Sequence, residues 1–280
     1  MKSSTKSKLI AYLFLIALSV LWIIPLIFGL GTSFKSEMEI KAVGFQLLPV
    51  NWTIQHYIDV LSNTSNAPML RWYLNSILIS VIHTVLVLVI VSLASYGYTR
   101  LKFKGRDMLF WTLMCASMFP SVVNIIPTYK IVDSFGWVNT IWSCIVPGLG
   151  GVGNIFLVRQ FMKGIPMEFD ESARIDGASE FMIYRKIIVP MIRPILTVVA
   201  LFTFTGSWND FLWPSIVFND IDKMTVTAGL QLLKGLYNTY QQVGNLMASA
   251  SLALVPTFLL FLFAQKYFLE SLSLSSGVKG

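Results

Sequence analysis

Six apolar runs constrain this chain more than any other feature, at residues 9–30, 73–98, 108–127, 138–158, 188–211 and 246–268. Each is 20 residues or longer, enough to cross roughly 30 Å of hydrocarbon as a helix. A segment in lipid must satisfy its own backbone polar groups, which leaves helices and closed barrels. None of the runs alternates apolar and polar residues at period two, which argues against barrel strands. The expected fold is therefore all-α and polytopic, with six transmembrane helices. Composition agrees: 55% of residues are hydrophobic and 12% charged, against about a quarter charged in a soluble domain.

Lys and Arg set the orientation. With the N-terminus inside, 14 of the 21 basic residues fall in cytoplasmic segments and 6 outside, and Arg193 enters the fifth run. The inner set includes Arg100, Lys102, Lys104, Arg106, Arg159, Lys163 and Arg174, and the outer set includes Lys41 and Lys223. Both termini are thus expected in the cytoplasm. The first run follows Lys2, Lys6 and Lys8 as a signal peptide would, but stays apolar for 22 residues without a small-residue cleavage site. It reads as a retained span, because secretory cores are usually about 7–15 residues. The net charge of +7 is spread between apolar runs rather than gathered on one patch, so no nucleic-acid partner is expected.

Prolines at 25, 120, 127, 147, 190, 194 and 256 interrupt the runs. Each removes a backbone donor and kinks or breaks a helix. Broken helices at membrane depth are tolerated where they face protein or a water-filled path. Residues 148–153, Gly-Leu-Gly-Gly-Val-Gly, match a nucleotide-binding glycine pattern but lie inside an apolar run. The β-α-β frame that the pattern needs is missing, as is a phosphate-binding Lys. Close helix packing by small residues accounts for them better. His56 and His83 stand apart, and Cys115 and Cys144 lie within apolar runs. No metal site and no catalytic cluster are expected.

The most informative polar segment is the inner loop, about residues 159–187. Acidic residues Glu168, Asp170 and Glu171 suit the first turn of a short helix, where the dipole favours negative charge. Gly177 permits a turn, a second short helix runs over residues 179–186, and Pro190 opens the next span. A charged helix–turn–helix of this kind suits docking of a soluble partner.

This segment resembles the EAA loop of ABC importer permeases, whose pattern runs E-A-A-x3-G-x9-I-x-L-P. Glu171, Ala173, Gly177, Ile187 and Pro190 fall in register, and Asp176 before the glycine fits as well. Ser172 replaces an alanine and Val189 a leucine. From about residue 70 onward the chain looks like the maltose-type, carbohydrate-importing branch. Residues 170–179, residues 206–214 and the ending Gly277-Val278-Lys279-Gly280 carry that resemblance.

The resemblance implies a type I importer permease in the cytoplasmic (inner) membrane. It implies a homologous second permease, two ATPase subunits that bind ATP and Mg, and an extracytoplasmic solute-binding protein. This chain would hold no cofactor and have no enzymatic activity. The substrate would be a di- or oligosaccharide or related sugar derivative. The implied domains are residues 1–31 (inner terminus and first helix), 32–70 (outer loop), 71–268 (the ABC transmembrane type-1 domain) and 269–280 (cytoplasmic tail). Glu171, Ser172, Ala173, Asp176, Gly177, Ile187 and Pro190 would couple to the ATPase. Gly277, Lys279 and Gly280 would touch it from the tail.

Two further groups stand out. Trp208, Asn209, Asp210 and Trp213 combine aromatic faces with polar groups at the outer end of the fifth run, as a sugar path would, although an interfacial aromatic belt has similar composition. Leu236, Tyr237 and Tyr240 are apolar or aromatic in a polar outer loop and suit contact with the binding protein. The rival readings are an ion-coupled secondary transporter and a membrane-embedded enzyme. The first lacks internal repeats and ion-binding charges within spans, and the second lacks a catalytic cluster.

Overall fold

The computed structural model describes residues 5–42, 46–63, 67–236 and 243–276. Among them every regular element is helical. In chain order the α-helices are α1 Thr5–Ser33, α2 Glu37–Lys41, α3 Gln55–Ser62, α4 Met69–Arg100 and α5 Arg106–Ser117. There follow α6 Ile125–Ser134, α7 Trp142–Ile145, α8 Val152–Lys163, α9 Glu168–Ile175 and α10 Glu180–Ile183. The chain continues through α11 Val189–Met191, α12 Arg193–Asn209, α13 Leu212–Val217, α14 Val226–Leu236 and α15 Val243–Ser276.

Among the described residues, three helices are long and apolar enough to cross a membrane, over Lys8–Ser33, Met69–Arg100 and Val243–Leu262. Two bent pairs qualify if each is one span. Arg106–Ser117 meets Ser121–Ser134 at 89°, and Glu180–Met191 meets Arg193–Asn209 at 77°. The first bend falls at Pro120, which caps a 3₁₀ turn over Ser121–Asn124. The second falls at Ile192, where Pro194 has no N–H to offer the carbonyl of Pro190, so the ladder cannot continue.

Two expectations need correction. The run at 138–158 is not one helix: α7 ends at Ile145, and α8 starts only at Val152. Pro147 and the glycines after it explain the gap, since Gly151 sits at φ +31°, outside the helical region. The expected short helix over 179–186 also extends further. α10 passes into a π-helical turn at Tyr184–Ile188 and then α11, so Pro190 lies inside the bent pair rather than at the opening of a span.

The chain divides into two compact units, Met1–Leu70 with Gly229–Val255, and Arg71–Ala228 with Pro256–Gly280. In the first, His56 is buried on α3. Its Nε2 donates to the Lys35 carbonyl at 2.8 Å, and Nδ1 lies 2.8 Å from Asn245 Oδ1. In the second, one apolar core joins Val87, Val91 and Tyr96 of α4 to Val158 and Met162 of α8, Ile183 and Ile188 of the bent pair, and Val198 and Val199 of α12. Burying a side chain of this size contributes roughly 1.5–3 kcal/mol where water is the alternative, and in lipid close packing takes over that role.

Candidate functional site

The inner loop builds a hairpin in the second unit. α9 carries Glu168, Asp170 and Glu171 in its first turn and Arg174 in its last, matching the helix dipole at both ends. It stops in a Schellman motif: Ala178 N–H donates to the Ala173 carbonyl at 2.9 Å, and Gly177 N–H to the Arg174 carbonyl at 3.1 Å. Gly177 takes φ +79°, as the motif requires of its C′ residue. A Cβ added there would meet nothing within 4 Å, so the demand is on backbone conformation, not space. Ser179 then caps α10 by accepting from Met182 N–H.

The hairpin is pinned to the end of α4. Arg100 pairs with Asp170 at 3.3 Å, their side chains 1% and 0% exposed. Arg100 Nη2 also donates to the carbonyls of Met162 and Ile165. Burial pushes the Asp170 carboxyl above its ordinary range, while the Arg100 and Arg174 guanidiniums pull it back. Tyr96 Oη donates to Glu180 Oε2 at 2.6 Å, and Arg174 Nε donates to Glu180 Oε1 at 2.7 Å. One turn along, the hydroxyls of Ser92 and Tyr184 are 2.7 Å apart.

What the hairpin leaves outward is equally defined. Glu171, Ser172, Asp176 and Gly177 are exposed, whereas Ala173 is buried. Apolar Phe169, Ile175, Phe181 and Met182 are exposed beside them. Ile187 and Pro190 are half-buried, Ile187 against the core of the unit. Tyr96 and Glu180 are not singled out by the sequence, Arg100 enters there only as one of the inner charges, and Asp170 only as a first-turn acid. Asp170 could have been set apart, because it precedes the alanine at 173 by three residues and so shares its face.

A cavity of about 370 Å³ lies in the same unit. It opens where the apolar runs break. Ser121, Asn124 and Thr128 line it from the first bend, Pro147 and Gly148 from the gap before α8, and Ser207, Asp210 and Trp213 from the end of α12. Ile79 and His83 line it from α4. Gly148 lies so close to His83 that a Cβ on it would come 2.7 Å from Nε2.

The expected path residues separate here. Asp210 Oδ1 accepts from Trp213 N–H at 3.4 Å, and the Asp210 carbonyl accepts from Thr227 Oγ1 at 2.6 Å. Trp213 Nε1 donates to the Ser143 carbonyl at 2.8 Å, which fixes the indole. Trp208 does not line the cavity. It is 1% exposed, edge-on to Tyr73 and stacked on Phe204. Asn209 is exposed and also outside the lining. Leu236 closes α14. Tyr237, Tyr240, Gly277, Lys279 and Gly280 lie outside the described residues.

Comparison with known proteins agrees with this geometry. Residues 87–273 match the family model described as binding-protein-dependent transport system inner membrane component. The chain is 32% identical over 260 residues to the arabinooligosaccharides transport system permease protein AraQ of Halalkalibacterium halodurans, covering 92% of this chain and 91% of that one. It is 32% identical over 278 residues to the maltodextrin transport system permease protein MdxG of Bacillus subtilis, covering 98% and 97%. Among solved structures, a chain of a bacterial ABC transporter involved in import of the acidic polysaccharide alginate superposes with TM-score 0.82 at 20% identity, over 96% of this chain and 99% of that one.

Proposed function

The chain belongs to the family of binding-protein-dependent transport system inner membrane components, and from that premise we propose that it forms half of an oligosaccharide path driven by separate ATPase subunits through the α9–α10 hairpin. It is a multi-pass membrane permease subunit of an ABC importer, not an enzyme, and such subunits carry no cofactor. Its importer works with a solute-binding protein and an ATPase. The oligosaccharide class follows from relatives whose names give arabinooligosaccharides and maltodextrin.

One observation carries the coupling role: the hairpin presents charge and apolar surface outward while its base is locked to α4 by the buried Arg100–Asp170 pair. An element so held moves as a unit with the membrane helices. ATP binding by the partners then needs only to favour one arrangement of the hairpins to shift the whole membrane domain. Glu171, Ser172, Asp176 and Gly177 form the outward edge of the contact, and Ala173, Ile187 and Pro190 seat it. A second, homologous permease closes the path, both termini are cytoplasmic, and the loop bearing Leu236, Tyr237 and Tyr240 faces the binding protein outside. The path itself runs by the cavity at Asp210 and Trp213, where interrupted helices supply irregular backbone beside a water-accessible space.

The test is reconstitution. Proteoliposomes holding this chain, its partner permease and the ATPase should hydrolyse ATP faster when the binding protein carries its oligosaccharide. Stimulation that is equal without this chain overturns the assignment.

A further inference from the structure

We propose that the cavity is a subsite for an uncharged sugar unit and that Asp210 sets its discrimination against uronic acids; this rests on reading the cavity as part of the path. The lining sets a few polar groups among apolar side chains and is almost without charge. Asn124, Thr128, Ser207 and Thr225 offer groups that donate and accept, as sugar hydroxyls require. Trp213, its ring fixed by the bond to Ser143, supplies a flat apolar wall of the sort that orients a ligand among a few polar contacts. The volume of about 370 Å³ lies within the range of ligand pockets, roughly 300–1,000 Å³.

Charge decides between sugar classes. Among the described lining residues Asp210 is the one carboxylate, and no Lys or Arg is present. A uronate entering this space would bring a second carboxylate toward Asp210 with no Lys or Arg to pair it, the His83 imidazole being the one basic group among the described lining residues. Burying an unpaired charge is costly, and like charges brought together at a recognition surface act against the wrong ligand. A neutral hexose or pentose unit has no such penalty and can donate a hydroxyl hydrogen to Asp210. The acidic group therefore works as a filter inside the membrane domain, separate from any choice made by the binding protein.

The experiment uses the assembled importer in detergent, with this chain carrying Cys115→Ala, Cys144→Ala and Ser121→Cys. Alkylation of the new thiol by N-ethylmaleimide is timed with matched saccharide pairs: maltotriose, cellotriose and α-1,4-galactotriose, each against its C6-oxidised triuronate. At least one neutral trisaccharide should protect the thiol, at a concentration about tenfold or more below that of its uronate. Asp210→Asn, which keeps an acceptor for Trp213 N–H, should narrow that gap at least about threefold. Equal protection by a neutral sugar and its uronate, or a gap unchanged in Asp210→Asn, overturns the charge filter. If no saccharide protects while binding-protein-stimulated ATP hydrolysis persists, the cavity is not on the path and the reading beneath the filter falls too.

Discussion

Arg100 and Asp170 have given up their hydration to meet beneath the hairpin, and that makes each dependent on the other. Removing one partner of a buried pair leaves an uncompensated charge and costs about 3–5 kcal/mol, whereas replacing both by apolar groups of similar volume is often close to neutral. Asp170→Ala should therefore lower the thermal stability of the purified importer and weaken ATPase retention. The double change Arg100→Met with Asp170→Leu should recover much of the stability. Thermal unfolding of the two variants and the wild type checks this, and a double variant no better than the single one means the pair is not coupled. This anchor was hidden in the sequence because Asp170 and Glu171 are neighbours of the same type. Only the helix face separates them, and the face becomes legible once the buried alanine at 173 is known. The placement of Glu171 in the first turn of α9 and of Gly177 at the turn after it was legible, because it depends on spacing along the chain rather than on a distant partner.

Among the elements, the apolar runs were readable from length alone, yet their interruptions were not. Prolines marked where breaks could occur, but Pro25 and Pro256 sit inside continuous helices while Pro120 and Pro147 stand at breaks. The difference is in what accompanies them: after Pro147 come Gly148, Gly150 and Gly151, and the chain turns. Gly148 is tight against the end of the His83 side chain. Adding a methyl to it drives an atom to 2.7 Å from His83 Nε2, tighter than packed side chains accept, and overpacking of this kind costs about 1–3 kcal/mol. Gly148→Ala should destabilise the complex, and His83→Ala in the same chain should relieve part of that cost. A double-mutant cycle on melting temperature reads the coupling, and strict additivity would show that the two residues do not meet. Trp208 shows the opposite limit of sequence reading. Its aromatic face beside Asp210 suggests the path, but two residues are about half a helical turn, and that directs it into the packing with Tyr73 and Phe204.

At the scale of the whole molecule the account requires one orientation and one direction of coupling. Lys41, Lys104, Lys163 and Lys223 are all exposed, so cysteines at these positions report sidedness without disturbing a core. Those at 104 and 163 should resist an impermeant thiol reagent applied from outside, and those at 41 and 223 should react; labelling in the opposite sense reverses the topology. Family and fold were accessible because a long, spaced motif and six apolar runs survive in one sequence, whereas the cavity depends on residues from five separate segments that only the fold assembles. The proposed coupling role turns on Gly177, whose φ of +79° an L residue adopts only at a cost of roughly 1–2 kcal/mol. Valine there strains the Schellman turn and tilts α9 away from its seat without filling any occupied space. The decisive measurement is ATP-dependent oligosaccharide uptake and ATPase co-purification in the same membranes for wild type and Gly177→Val. The account predicts that the variant stays in the membrane at normal abundance, retains less ATPase and loses uptake, whereas normal uptake by Gly177→Val would contradict it.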